Sequence, residues 1–120
     1  MLEASSQSIS SVISADSSLI EKAANTEQGV LISGETGTGK ELIARIIHTR
    51  SSRANSPFVV MNCAMSSDIV ESDLASKMDA AQNGTIYFEE IQELPLHLQA
   101  KLVSSFHSVR IIASTSANLS

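Results

Sequence analysis

Three glycines in the run Gly34-Glu35-Thr36-Gly37-Thr38-Gly39, followed at once by Lys40 and Glu41, are the residues of this chain best suited to chemistry. Glycines at that spacing let a backbone wrap round an anion so that consecutive N–H groups point inward. A helix beginning at Lys40 adds the partial positive charge of its N-terminus, and the lysine reaches the β- and γ-phosphates of a nucleotide. This is the Walker A spacing in its required context, with a β-type run, Val30 to Ser33, before it and a segment of helical period, Lys40 to Thr49, after it. A Gly-rich strand-to-helix turn without a ligand is the plain alternative, and spacing and flanks together weigh against it. Position 41 is Glu where the general pattern has Ser or Thr, so the usual hydroxyl ligand for magnesium is missing.

Chemistry on a phosphate also needs carboxylates, one to hold magnesium and one to orient the attacking water. The run Thr85-Ile86-Tyr87-Phe88-Glu89-Glu90 supplies two at the end of an apolar strand, which is the Walker B pattern. Glu89, the candidate magnesium ligand, stands where Asp is usual. Its extra methylene moves the carboxylate by roughly 1.5 Å at an ion that tolerates little misfit. Glu90 is the candidate general base or water-positioning residue.

A sheet whose strand ends converge is needed to bring loop and carboxylates together. Four short runs read as strands covered on both faces: Val30 to Ser33, Phe58 to Met61, Thr85 to Phe88, and Val109 to Ser114. Between the first two, Leu42, Ile43, Ile46 and Ile47 form a stripe at helical spacing. Pro95 opens another amphipathic helix that carries Leu98, Leu102, Val103 and Phe106. Helices are also expected over Ser17 to Asn25 and over Ser66 to Ala81, the latter with Ile69, Val70 and Leu74 on one face. This alternation marks an α/β unit with a parallel sheet. Residues 1–18, crowded with Ser and broken by single apolar residues at Ile9, Val12 and Ile13, read as a flexible segment, and 19–120 as the folded domain.

The chain of 120 residues is 42% hydrophobic and 18% charged, which fits one small domain. The lone Cys63 allows no intramolecular disulfide, and no apolar run approaches the ~20 residues that cross a bilayer, so a cytoplasmic, non-membrane protein is expected. A net charge of -5 argues against a nucleic-acid surface, and with no Trp, one Tyr and three Phe there is no stacking platform for single strands. Cys63 follows a buried strand and reads as a core thiol. His48, His97 and His107 lack metal-ligand spacing. Arg45, Arg50 and Arg53 read as a solvated basic face, the alternative being contact with a nucleotide in a neighbouring subunit. Glu89, Glu90 and Glu93 lack the Gly and Asp pattern of a calcium loop.

Taken in order, GVLISGETGTGKELIARIIH, PFVVMNCA, ESDL, NGTIYFEEIQELPLHLQAKL and VRIIASTSANL resemble the AAA+ ATPase domain of bacterial enhancer-binding activators, which act on sigma-54 RNA polymerase. The resemblance runs from Ile20 to Leu119. It implies a three-layer α/β/α P-loop NTPase core with a mostly parallel sheet, here incomplete, with about four strands and no helical lid. It implies ATP and magnesium as ligands, and it makes Glu41 an expected residue, since the family has Glu after the Walker lysine. By the same resemblance Gly34 to Glu41 is the nucleotide loop, Glu89 falls on the Walker B aspartate, and Glu90 on the catalytic glutamate. Asn62 falls on the asparagine that contacts that glutamate. Thr115 and Ser116 fall on the first sensor, usually Thr-Asn, and the Ser116 hydroxyl is too short to present an amide to a phosphate or water.

The departures bear on output. Glu71-Ser72-Asp73-Leu74 runs through nine residues to Gly84, leaving no room for the GAFTGA-type loop that grips sigma-54 in the family. Six residues separate Leu102 from Val109, where the family has a second insertion. The arginine fingers, fifth strand, lid and helix-turn-helix that follow the sensor strand in the family are not in these residues. Without a fifth strand, Val30 to Ser33 would be an open edge, to be covered by the Ser-rich segment, by self-association or by further chain. The reading reached is an ATP-binding AAA+ core related to transcription regulation, with weak or absent hydrolysis, no direct contact with DNA and no loop signature for contact with sigma-54. The alternative is a non-catalytic module that keeps the fold and docks onto related AAA+ regulators. A small P-loop kinase is disfavoured, because the PLHLQAKL block would have no purpose there.

Overall fold

The computed structural model describes residues 10–12, 17–27, 29–34, 39–103 and 108–116. Of the residues singled out above, Glu35, Thr36, Gly37 and Thr38 of the loop lie outside the described residues, as do Ile9, Ile13, Phe106, His107 and Leu119. In chain order the elements are β1 (Ser10–Val12), α1 (Ser17–Ala24), β2 (Val30–Ser33), α2 (Lys40–Thr49), β3 (Phe58–Asn62), α3 (Ser67–Ala80), β4 (Thr85–Glu89), a 3-10 turn (Ile91–Glu93), α4 (Leu96–Val103) and β5 (Arg110–Thr115).

All strand pairs are parallel, in the order β1-β2-β5-β4-β3. Side chains alternate across the strands, which divides the core in two. Ile86, Phe88, Ile111 and Ala113 face Val70 and Leu74 of α3 and Leu98 and Leu102 of α4. Tyr87, Ile112, Val30 and Ile32 face Ile20, Ala23 and Ala24 of α1 and Ile43, Ala44 and Ile47 of α2. Helices therefore cover both faces, and this is why the strand sequences are continuously apolar rather than alternating. The fold is the expected three-layer α/β/α P-loop core. Among the described residues no helix is long and apolar enough to cross a membrane.

The structure has one strand more than the four expected. Ser10, Ser11 and Val12 pair with Val30, Leu31 and Ile32, so the open edge of β2 is covered from within the Ser-rich segment. Backbone hydrogen bonding to an exposed edge drives this pairing, and a run of Ser-Ser-Val gives no periodic signal of it. The flexible segment expected over 1–18 thus contains a strand and the start of α1. The stripe on α2 also turns: Ile43, Ala44 and Ile47 are buried while Leu42 is 62% exposed. On α3 only Val70 and Leu74 are buried, and Ile69 faces outward at 44% exposure.

Between α3 and β4 the connection is residues 81–84. Asn83 is left-handed (φ 68) and its N–H donates to Ser108 O at 2.7 Å. Gly84 passes so close to Pro57 that any Cβ would run into the Pro57 backbone. Its carbonyl accepts from Arg110 N–H at 2.9 Å and from the Arg53 guanidinium at 3.0 Å. The chain turns straight from helix into strand.

Candidate functional site

The carboxyl ends of β2, β4 and β5 converge on the N-terminus of α2, the place where open parallel sheets bind ligands. Gly34 leaves β2 with its N–H donated to Thr115 O at 3.2 Å, which pins the start of the phosphate loop to the end of β5. At the other end of the loop Gly39 caps α2 in the left-handed conformation, φ 82 and ψ 27. An L side chain is strained there, so glycine suits the position. Lys40 turns back toward the end of β2, and its Nζ donates to Gly34 O at 2.6 Å. It is nearly buried, 8% exposed. Glu41 follows in the first turn and pairs with Arg45 at 2.9 Å.

A cavity of about 210 Å³ opens here, lined by Gly39, Lys40, Glu41, Tyr87, Glu89, Glu90 and Ser114. The three carboxylates on its wall were predicted from the sequence, whereas Tyr87 and Ser114 were not singled out there. Burial, together with the charges of Glu41 and Glu90, holds the Glu89 carboxyl above its ordinary range. Glu90 moves the other way: hydrogen bonds from Gln92 and Ser116, with the Lys40 charge nearby, favour its ionised form. Neighbouring carboxyls driven apart in this way suit different tasks, one to meet a cation and one to stay charged. Burial pushes the Tyr87 phenol up to about 12 and, helped by Glu89 and Glu90, the Cys63 thiol to about 12, so neither ionises near neutral pH.

Glu90 is one of two described non-glycine residues with positive φ, at 56. That backbone carries the chain out of β4 into the 3-10 turn. Its Oε1 accepts from Gln92 Nε2 at 2.7 Å, from Ser116 Oγ at 2.7 Å and from Ser116 N–H at 3.3 Å. Thr115 Oγ1 donates to Gln92 Oε1 at 2.7 Å. Asn62, expected to contact Glu90, is instead in register with Glu89 on β3, and its Oδ1 accepts from Ala64 N–H at 2.8 Å. Gln92 holds the contact with Glu90 that was expected of Asn62. Its position two residues past Glu90 was the one available signal, legible only once Glu90 is known to be left-handed.

Features of the site fit a nucleotide phosphate: a left-handed glycine with open space at its Cα, a helix N-terminus and a lysine at hydrogen-bond distance from Gly34 O. For magnesium the mutually repelling carboxylates are suited to a cation, but no three acidic, His or Cys side chains among the described residues surround one point. Such an ion would draw most of its ligands from water and phosphate, as magnesium commonly does. Of the three arginines only Arg45 reaches the cavity wall, through Glu41. Arg45 lies over the Phe58 ring at 4.8 Å, Arg50 pairs with Glu21 at 2.9 Å, and Arg53 with Glu27 at 2.8 Å.

Comparison with known proteins agrees with this geometry. The sequence profile described as the Sigma-54 interaction domain matches residues 5–77 and 71–113, two stretches that overlap within α3. The anaerobic nitric oxide reductase transcription regulator NorR of Aeromonas hydrophila is 39% identical over 131 residues, covering 83% of this chain and 26% of NorR. That aligned stretch is longer than the whole chain of 120 residues, so NorR carries segments that this chain lacks. The chain spans about a quarter of the length of that relative. NtrX from Brucella abortus in complex with ADP superposes with a TM-score of 0.72 at 32% identity, over 85% of this chain and 29% of NtrX. Its complex with ATP gives a TM-score of 0.71 at 28% identity, over 92% and 33%. The P-loop NTPase domain of an Escherichia coli sigma-54 activator shares the fold, with a TM-score of 0.73 over 83% of this chain and 87% of that domain at 24% identity.

Proposed function

The chain belongs to the sigma-54 interaction domain family, the AAA+ domain of transcription activators, and from that premise we propose that it is a cytoplasmic regulator core that binds ATP with magnesium at the mouth of β2, β4 and β5. The loop from Gly34 through Glu35, Thr36, Gly37, Thr38 and Gly39 to Lys40 and Glu41 holds the phosphates. Glu89 faces the magnesium, Glu90 orients water, and Ser116 stands at the sensor position. Asn62 takes part only if nucleotide draws Glu90 toward β3. Hydrolysis is slow, since Glu90 is spent on hydrogen bonds and the sensor amide is replaced by a hydroxyl.

One observation carries the reading: Lys40 and the left-handed Gly39 open on the same cavity as the carboxylates of Glu89 and Glu90. NtrX, whose complexes contain ADP and ATP, supports it by likeness. Nucleotide at a hundred times its Kd stabilises a binding protein by about 2.7 kcal/mol, about 10 °C in melting temperature for a chain of this size. A shift of that order with ATP and magnesium is expected for the natural chain and not for Lys40→Ala. If neither protein shifts, the reading is wrong. Where binding is seen, Glu90→Gln is expected to reduce phosphate release at least tenfold, and unchanged turnover would remove Glu90 from its role.

The short turn between α3 and β4 favours a second reading, a non-catalytic module that keeps the fold and docks onto related AAA+ regulators or onto itself. It is distinguished by nucleotide binding without any phosphate release.

A further inference from the structure

The two edges of the sheet are unlike. β1 is three residues long, whereas β3 is five, Phe58-Val59-Val60-Met61-Asn62, with no proline or charged residue to blunt it. Phe58, Val59 and Val60 are only half-buried, where β4 and β5 are buried along nearly their whole length. Thr85 N–H bonds Pro57 O at 2.9 Å, and Cys63 N–H bonds Glu89 O at 2.9 Å. Backbone groups alternate in direction along a strand, so Val59 and Met61 turn theirs to β4, and Phe58, Val60 and Asn62 turn theirs to the open edge. That outward set is symmetric about Val60. Beside it a groove of about 260 Å³ separates the strand from α3, lined by Val60, Met61, Met65, Ile69, Asp73 and Lys77. Met65 and Ile69 are exposed large apolar side chains. Ile69, Asp73 and Lys77 follow at four-residue intervals and share one stripe of the helix. Among the described residues neither the Asp73 nor the Lys77 side chain has a hydrogen-bond or ion-pair partner.

We propose that β3 and α3 are the interface of a homodimer, in which the β3 edges of two copies pair antiparallel about a two-fold axis at Val60. Each Val60 then exchanges both backbone bonds with its counterpart, and each Phe58 does so with an Asn62, so every outward N–H and C=O finds a partner. The same axis lays α3 against its copy in the opposite sense, which sets Asp73 of each chain beside Lys77 of the other, over the apolar floor of the groove. A second copy fits better than any other occupant because strand and helix are both self-complementary. A groove that holds one charge of each sign matches neither an acidic nor a basic partner as well as it matches itself. A two-fold contact uses the same surface of both chains, so the assembly closes at two. The inference goes beyond the nucleotide reading and does not depend on it.

The test is sedimentation equilibrium of the whole chain without nucleotide, joined to amide hydrogen exchange read by NMR at low and high protein concentration. The mass is expected to rise from 12.7 kDa to twice that value and to stop there. One strand pair and two partly exposed ion pairs make a weak contact, with a Kd on the order of 10–100 µM. The amides of Phe58, Val60 and Asn62 are expected to gain protection as concentration rises, while those of Val59 and Met61, held by β4, are protected throughout. Val60→Pro removes an outward N–H without touching the β3–β4 ladder, a place where an edge strand tolerates proline, and is expected to weaken association about tenfold or more. Asp73→Lys sets like charges across the axis and is expected to weaken it similarly, whereas Asp73→Lys combined with Lys77→Asp restores it. These exposed substitutions decide the matter should Val60→Pro not fold. A chain that stays monomeric at about ten times the expected Kd, a mass that climbs past two, or a dimer that the single substitutions leave unchanged overturns the proposal. Failure of the double substitution to restore association overturns the pairing of α3 with its copy.

Discussion

Glu89 and Glu90 are adjacent in sequence, and the structure gives them opposite electrostatic lives. Only the identity of the two side chains and their place after an apolar strand were legible beforehand. Which carboxylate is desolvated and which is hydrogen-bonded depends on the left-handed backbone at Glu90 and on Gln92 and Ser116, which meet it only after folding. The loop from Gly34 to Lys40 stands out in the sequence because glycines and a lysine at fixed spacing are what its proposed function requires. The Asn62 contact was not, because an asparagine at a strand end can serve its own turn as readily as a distant carboxylate. His48 carries a further consequence. Its Nε2 lies 3.0 Å from Ser56 O, which only accepts, so Nε2 bears the hydrogen and Nδ1 accepts from the Thr85 hydroxyl at 2.8 Å. Burial, reinforced by the charge of Arg110, holds its pKa below the ordinary 6.5, against the pull of the Ser56 carbonyl. The unfolded chain therefore binds this proton more readily than the folded one. His48 contributes fully to stability above its unfolded pKa, and that contribution is lost as pH falls through the folded pKa. Urea midpoints are expected to fall between pH 7.5 and 5.5, and His48→Gln to flatten that slope. Equal slopes in the two proteins would show that another group is responsible.

Strands covered on both faces were read well, α3 was found despite its faint pattern, and β1, which has no pattern, was missed. β2 and α2 have the expected boundaries, β3 and β4 each run one residue further than expected, and β5 and α3 differ by one residue at both ends. The continuous apolar runs leave a buried strand little freedom. β1 escaped because its three residues, Ser-Ser-Val, carry no periodic apolar signal. α3 was faint because only Val70 and Leu74 of its 14 residues are buried, with Met78 partly buried against the same core. Its end is nevertheless sharply fixed, for Gly84 threads past Pro57 where Thr85 N–H meets Pro57 O at 2.9 Å and begins the pairing of β3 with β4. Gly84→Ala places a methyl group against that backbone rather than against a side chain that can swing away. The expected cost is about 3 kcal/mol or more, read as a lower urea midpoint with an unchanged slope. A loss under 0.5 kcal/mol would mean that the two strands separate there without penalty.

For the molecule as a whole, the sheet supports the proposed nucleotide site at one end and leaves little at the α3–β4 connection to reach a partner. In the family resemblance a GAFTGA-type loop between these two elements grips sigma-54. Here residues 81–84 close that path. Asn83 is tied to Ser108 at 2.7 Å, Gly84 N–H to Ala81 O at 2.8 Å, and the Gly84 carbonyl to Arg53 at 3.0 Å. Those bonds join the connection to the start of β5 and to the loop after α2, so projecting it outward would cost several hydrogen bonds and the pairing of β4 at its first residue. Nucleotide binding at the opposite, carboxyl end of β4 offers no compensating contact. The 120 residues are therefore expected not to retain sigma-54 on a column, with or without ADP, magnesium and aluminium fluoride as a mimic of the hydrolytic transition state. An activator that carries the loop, run in parallel, should retain it in the presence of the mimic. Retention by this chain that depends on the mimic would show a sigma-54 contact made by other residues, and would return α3 and the open edge of β3 to consideration as that surface.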